Sequence, residues 1–337
     1  MKICIVGAGA IGGMLGVKLQ LSGHDVTLIL RGANLQAVQQ NGLKLIEESG
    51  NELLAHPIKA TSSIAEAGVQ DIVILGMKAH QVVAVAPELP ALMKEGTRVV
   101  TMQNGIPWWY FHKLPGEAGK AYAGTTVQSV DPGGIVAQHI DIDRVIGSVV
   151  YPASEVIRPG VIKVIEGNRF SLGEIDGSDT ASIRVIADAF KAAGFKTPIV
   201  NDIRSELWLK LWGNLSFNPI SALTHATLED ICVYPQTREL AASMMREAQN
   251  VGEKLGVQFK VSLDKRIAGA QAVGQHKTSM LQDVEAGRPL ELQALMGSVI
   301  ELGQITQTPT PIISSVYALA SLLAKNLQDH KATLRMS

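Results

Sequence analysis

The sequence carries almost no net charge: 30 lysines and arginines stand against 31 aspartates and glutamates in 337 residues. Without a surplus of one sign there is no general field to hold nucleic acid or an anionic membrane surface, so any basic residue that matters acts locally. Cysteine is nearly absent as well. Cys4 lies in an apolar run and Cys232 far downstream, with no CxxC pair, which suits a reduced, cytoplasmic chain without a disulfide framework. The eight histidines are scattered without an HxH or HxxxH arrangement, so no metal site is expected. Internal repeats, low-complexity tracts and linkers rich in Pro, Gly or Ser are also missing. The apolar stretch between Lys2 and Leu21 is not read as a signal peptide or membrane anchor. It opens on a β-branched run, carries Gly7, Gly9, Gly12, Gly13 and Gly16, and has no clean small-residue cleavage pattern after it. It reads instead as a buried strand, a turn and a helix.

What is present is enough chain for two domains, each able to bury a core, with a cleft available between them. The first half alternates short apolar runs with helical patterns, the pattern of a parallel sheet with crossover helices. Strands are expected at 2–6, 25–30, 71–75 and 97–102, with helices near 10–22 and 79–94. From 121 to 174 the texture turns to β-branched runs broken by Gly and Pro, which suggests extra, antiparallel strands. Beyond 201 long helical patterns take over, at 202–223, 235–255, 289–306 and 311–327. The expected architecture is an α/β, Rossmann-type dinucleotide-binding domain over 1–201 followed by an all-α domain over 202–337.

Gly7-Ala8-Gly9-Ala10-Ile11-Gly12 is a GxGxxG that follows a predicted strand and opens a predicted helix, the context in which this motif binds a dinucleotide. Its glycines permit a tight turn, close approach of a pyrophosphate and close packing of helix on strand, with helix N-terminal amides facing the phosphates. NAD-binding chains usually carry a carboxylate at the end of the second strand, and here that end reads Leu30-Arg31-Gly32. A guanidinium suits a 2′-phosphate and favours NADP, unless Arg31 is a solvated loop residue. Two later strand ends reach the same rim. Lys78 is either a phosphate or ribose contact or a surface lysine. Asn104, which donates and accepts at once, is either a nicotinamide and substrate contact or part of an ordinary Asn-Gly turn.

The segment 207–219 is apolar nearly all round, as in a buried helix. Lys210, Asn214 and Asn218 nevertheless recur every four residues and form one polar stripe. Buried polar groups need partners, and a cation with two amides offers them to a polar ligand. The competing reading has Lys210 snorkelling to solvent and the two Asn residues pairing with neighbouring helices. Pro219 is expected to kink or break the helix at Asn218.

With these residues in their order and spacing, the sequence resembles the ketopantoate reductase (2-dehydropantoate 2-reductase) family from end to end. The resemblance rests on GxGxxG, Arg31, Lys78, Asn104-Gly105, the Lys210/Asn214/Asn218-Pro219 helix, and Ser279-Met280-Leu281-Gln282-Asp283 with Glu291 twelve residues after Ser279. It implies that Lys210 is the general acid for a ketone reduced by NADPH, that Asn104 bridges cofactor and substrate, and that Asn214, Asn218 and Ser279 hold the substrate. It implies further that Glu291 orients or tunes Lys210 and touches the cofactor, and it adds Val130 to the cofactor contacts. From the residues alone, Ser279-x-x-Gln282 could equally be a capping box, and Glu291 a residue favouring a helix N-terminus.

The implied reaction is the reduction of 2-dehydropantoate to pantoate on the way to pantothenate and coenzyme A. Alternatives are a different branched or aromatic 2-oxo acid, and an NADPH-sensing protein without turnover. The departures from the family pattern bear on the substrate. Val127-Gln128-Ser129 follows Gly124-Thr125-Thr126 where a histidine is common, 141–160 looks like an insertion, Trp108-Trp109-Tyr110-Phe111 could reshape a pocket, and Leu228 stands where an Asn is sometimes found. A small-molecule partner is expected, with neither nucleic acid nor membrane, and the long apolar helices of the second domain would suit a homodimer.

Overall fold

The computed structural model describes residues 1–334. The chain divides into two compact units, one made of Met1–Gln103 and Gly133–Ile203, the other of Asn104–Pro132 and the residues from Arg204 onward.

The first unit begins with β1 (Lys2–Val6), α1 (Ala10–Leu21), β2 (Asp25–Ile29) and α2 (Gly32–Asn41). It continues through β3 (Leu43–Ile46), β4 (Glu52–Ala55), β5 (Lys59–Thr61), α3 (Ile64–Ala67), β6 (Ile72–Leu75), α4 (Ala79–Val85) and β7 (Arg98–Thr101). Seven strands form the main sheet in the order β11-β8-β7-β6-β1-β2-β5, which brings in β8 (Val145–Val150) and β11 (Phe170–Glu174). All neighbours in it are parallel except β11, which runs antiparallel to β8. Read from β5 to β11 this is the doubly wound, Rossmann-type order, whose chain reverses direction across the sheet between β1 and β6.

A second sheet has the order β4-β3-β10-β9: β3 and β4 were missed by the sequence reading, whereas β9 (Ala153–Arg158) and β10 (Val161–Glu166) fall within the stretch where extra antiparallel strands were expected. Helix α1 is covered on both sides, by the main sheet and by this one. A Cβ at Gly13 would lie 2.2 Å from Ile162 Cδ1, and one at Gly16 would lie 2.7 Å from Leu28 Cδ2. Burial on both faces explains why the segment reads as apolar as a membrane anchor. No helix among the described residues is long and apolar enough to cross a membrane. The unit also holds α6 (Ile135–His139) and α7 (Ala181–Ala192).

Three expectations need correction here. The helix over 79–94 is α-helical to Val85 and a 3₁₀ turn over Ala86–Leu92, because Pro87 and Pro90 remove two amide donors. The stretch 141–160 is no appendage: it supplies β8, every residue of which is buried, to the interior of the main sheet, and β9 to the second. The strands expected from 121 onward start at Val145.

The second unit is helical, with α5 (Gly116–Ala121), α8 (Ile203–Thr224), α9 (Leu228–Val233), α10 (Pro235–Lys254) and α11 (Leu263–Ala272). It ends with α12 (Ser279–Glu285), a π-helical turn over Gln293–Gly297, α13 (Ser298–Ile305) and α14 (Pro311–Asp329). The sequence reading puts 104–132 in the first domain, yet its contacts group it with these helices. Buried Arg204 of α8 donates from Nε to Tyr110 O (2.8 Å) and from Nη2 to His112 O (2.5 Å), and Trp208 Nε1 donates to the Tyr110 hydroxyl (2.7 Å). Trp108, Trp109, Tyr110 and Phe111 are all buried, so the aromatic cluster is core that anchors this segment. Helix α8 runs on past Pro219 to Thr224, so the expected break does not occur. Proline costs one main-chain hydrogen bond, and burial of Phe217, Ile220 and Ala222 around it offsets that loss.

Candidate active site

In the first unit, the turn between β1 and α1 is shaped by close contacts. Gly7 has φ +87°, and a Cβ there would fall 2.7 Å from Met77 Cβ, so neither the conformation nor the space admits a side chain. A Cβ at Gly12 would lie 2.7 Å from Gly7 O, whereas one at Gly9 would meet nothing within 4 Å. The turn is therefore tight on the protein side and open at Gly9, as a pyrophosphate cradle requires. Ala8 is buried, and Ala10 and Ile11, which start α1, are partly buried. The first turn of α1 has no acidic residue and no side-chain cap, leaving its amides to an anion.

Gly7 and Ala8 N–H groups both donate to Ile29 O (3.3 Å each), which ties the turn to the end of β2. Arg31 follows two residues later, exposed and extended, ahead of α2. Asp25 lies at the far end of β2 in an ion pair with Lys59 (2.8 Å). Lys78, partly buried, precedes α4, and its N–H donates to Gln81 Oε1 (3.1 Å). Gln103, which the sequence reading passed over, donates from Nε2 to Leu75 O (2.8 Å) and Met77 O (3.1 Å), fixing the loop that presses on Gly7. These residues gather at the carboxyl ends of β1, β2 and β6, at the switch point where open α/β sheets take ligands. They fit a dinucleotide, and they offer no carboxylate at the end of β2 to repel a 2′-phosphate.

In the second unit, three residues far apart in sequence meet. Lys210 Nζ of α8 donates to Asn104 Oδ1 (2.6 Å), and Asn104 Nδ2 donates to Glu291 Oε2 (3.2 Å). Lys210 keeps partial solvent contact along its side chain. Its pKa is nonetheless lowered to about 8, chiefly by burial and against the opposing pull of Glu291's charge. An ammonium with that pKa is protonated at neutral pH and gives up its proton more readily than an exposed lysine.

Asn214 is partly buried and Asn218 buried on the same stripe, and Asn218 Nδ2 lies 3.5 Å from Ser279 Oγ. Ser279 is exposed at the first residue of α12, and the cap is its neighbour: Thr278 Oγ1 accepts from Leu281 N–H (3.3 Å). The capping-box reading of Ser279 is thus corrected, and its hydroxyl is left to other work. Glu291 precedes the helical turn that starts at Leu292, in keeping with the helix N-terminus reading, and accepts from Asn104. Leu228 opens α9, where its N–H donates to His276 O (3.0 Å).

Val130 is partly buried in a turn whose N–H groups at Gln128 and Ser129 donate to the two oxygens of Glu301 (2.7 and 2.8 Å). Glu301 was not singled out in the sequence. Nothing local marks a glutamate on α13 as the partner of a loop 172 residues away.

Two family models match the chain. "Ketopantoate reductase PanE/ApbA" covers residues 3–110, and "Ketopantoate reductase PanE/ApbA C terminal" covers 202–324. A 2-dehydropantoate 2-reductase from Mesorhizobium japonicum is 52% identical over 325 residues, spanning 96% of this chain and 98% of its own. A protein of Ralstonia solanacearum described as a ketopantoate reductase superposes with a TM-score of 0.90 at 39% identity, over 96% of this chain and 98% of its own. The ternary structure of D-mandelate dehydrogenase with NADH and anilino(oxo)acetate gives a TM-score of 0.83 at 20% identity, over 97% and 99% of the two chains, a likeness of fold.

Proposed function

The chain belongs to the ketopantoate reductase family, and from that premise we propose that it reduces 2-dehydropantoate to (R)-pantoate with NADPH, Lys210 serving as the proton donor. The observation that carries the assignment of roles is the Lys210–Asn104–Glu291 chain of hydrogen bonds. When bound, NADPH supplies the hydride. The chain's own residues then do the rest. Lys210 holds a proton on Nζ, and its positive charge stabilises the alkoxide that forms as the ketone carbon is reduced. The same nitrogen hands over the proton to give the alcohol, so one hydride and one proton are added across the C=O bond. Asn104 fixes the ammonium in place, and by family resemblance Asn104 and Glu291 would also contact the cofactor. Asn214, Asn218 and Ser279 offer amide and hydroxyl donors to the substrate's carboxylate and hydroxyl.

On the cofactor side, Gly7, Ala8, Gly9, Ala10, Ile11 and Gly12 hold the pyrophosphate, Arg31 the 2′-phosphate, Lys78 the phosphate or ribose, and Val130 packs against the cofactor. The preference for NADPH is supported by the exposed guanidinium after β2. A homodimer built on the helical residues belongs to the same reading, supported by Leu319 and Leu322, both exposed on α14. So does a cytoplasmic setting, in keeping with the free, buried thiols of Cys4 and Cys232.

The two features that pointed to another 2-oxo acid, the aromatic cluster and the 141–160 stretch, are taken up by packing and by the sheets. Steady-state oxidation of NADPH is the test, with 2-dehydropantoate set against a panel of branched and aromatic 2-oxo acids. The reading requires the highest kcat/KM for 2-dehydropantoate, by about a hundred-fold or more. A better substrate elsewhere in the panel refutes it, and no turnover with any of them leaves a nucleotide-binding protein without catalysis.

A further inference from the structure

The helix that follows Glu291 contains a turn of the wrong width. Over Gln293–Gly297 it is π-helical, and the Ser298 N–H bonds to Gln293 O, five residues back. In an α-helix that donor would sit on Ala294 O. The carbonyl of Ala294 instead accepts from Ile106 N–H (2.9 Å) and from Ser298 Oγ (2.7 Å). The partner segment is shaped to reach it. Gly105 has φ +87°, and a Cβ there would lie 2.0 Å from Ala294 O and 2.4 Å from its carbonyl carbon. The backbone of Asn104-Gly105-Ile106 is thus pressed flat on the π turn.

Both ends of the Asn104–Glu291 hydrogen bond adjoin this contact. Asn104 is one residue before Gly105. Glu291 is two residues before the π turn, and its carbonyl accepts from Leu295 N–H (3.2 Å) within it. Single π turns are rare and are frequently found at functional sites. We propose that the π turn Gln293–Gly297 and Gly105 form one positioning device, in which the Ala294 carbonyl holds Ile106 N–H and thereby sets Asn104 between Glu291 and Lys210. Gly105 and Ala294 are then positioning residues for proton delivery to the 2-oxo acid, a role that rests on the reading of Lys210 as the acid.

Three variants of the full chain test this, each assayed with NADPH and 2-dehydropantoate across pH. Gly105→Ala places a methyl against the carbonyl. Deletion of Gln293, which is exposed, returns the π turn to α-helix. Replacement of the Ile106 N–H by an ester oxygen removes the single hydrogen bond, adds no bulk and so answers even where the two coarser changes fail to fold. The device predicts that kcat falls about ten-fold or more in the folded variants, while KM for NADPH changes by less than about two-fold. It also predicts that the alkaline limb of the kcat profile moves by about half a pH unit or more. A purely structural role lowers the melting temperature and leaves kcat and its pH profile alone, and that result overturns the proposal. Where Lys210→Ala leaves the wild-type profile unchanged, the acid reading fails and takes the device with it. Where the profile depends on Lys210 but survives in the ester variant, the device alone fails.

Discussion

Lys210 reaches the side-chain oxygen of Asn104 across 2.6 Å, and the amide nitrogen of the same side chain faces Glu291 at 3.2 Å. The Asn104 amide therefore links the ammonium to the carboxylate. Two effects oppose one another at Nζ: burial disfavours the ammonium, and the negative charge of Glu291 favours it. Burial is the larger, and the pKa is lowered to about 8.

The sign of the pH dependence follows. The acid must be protonated to work, so reduction runs below the pKa of Lys210 and fades as pH rises through about 8. A kcat profile for the reduction should show one descending limb near that value. Replacing Lys210 by Ala should remove the limb and cut kcat by roughly 10²–10⁴-fold. A kcat that is flat to pH 10 in the wild type refutes the assignment.

Glu291 acts on the same group with the opposite sign to burial. Glu291→Gln keeps the acceptor oxygen for Asn104 and deletes the charge, so it should lower the Lys210 pKa further. The descending limb should shift to lower pH, with most of the lost activity regained on acidification. A limb that stays put, or moves up, shows that the carboxylate does not bear on the proton donor.

What the sequence revealed of this site was what is local. The glycine turn is written in consecutive residues beside an apolar strand, and the Lys210/Asn214/Asn218 stripe in a four-residue period. The Asn104–Glu291 bond, 187 residues apart, was reached through family resemblance and not through pattern. The π turn was invisible because one extra residue barely disturbs a 3.6-residue period, and 289–306 accordingly read as a single helix. The second sheet was missed for a different reason. Its β4 and β9 are largely exposed edge strands with mixed polarity, and the parallel pairing of β3 with β10 joins distant parts of the chain. The aromatic cluster misled because burial, not sequence, decides whether Trp108 to Phe111 line a pocket or fill a core.

That core supports a prediction about stability. Arg204 is buried, gives hydrogen bonds to Tyr110 O and His112 O, and stacks over the rings of Trp109 and Tyr110 at 5.4 and 5.8 Å. Arg204→Met fills part of the volume but removes the arginine's donors from the buried Tyr110 O and the part-buried His112 O. Denaturant unfolding should show a loss of about 2–4 kcal/mol. A loss within about half a kcal/mol would show that water reaches those carbonyls and that the arginine does not anchor the 104–132 segment.

In the proposed reading cofactor choice rests on a single exposed side chain, which makes it the easiest feature to reverse. Arg31 is extended, solvent-facing and placed two residues beyond the strand end that holds the glycine turn. Its side chain is exposed, so Arg31→Ala should leave the melting temperature unchanged. A bidentate contact to the 2′-phosphate is lost in the variant, whereas the NADH complex never made it. KM for NADPH should therefore rise by about ten-fold or more, KM for NADH should hold, and kcat with either should change little. Arg31→Glu should go further, because an acid repels the 2′-phosphate while accepting hydrogen bonds from free ribose hydroxyls, and NADH should then become the better cofactor. Equal rises in both KM values would mean that the guanidinium reads the pyrophosphate or the adenine, and the discrimination would have to be sought at Lys78.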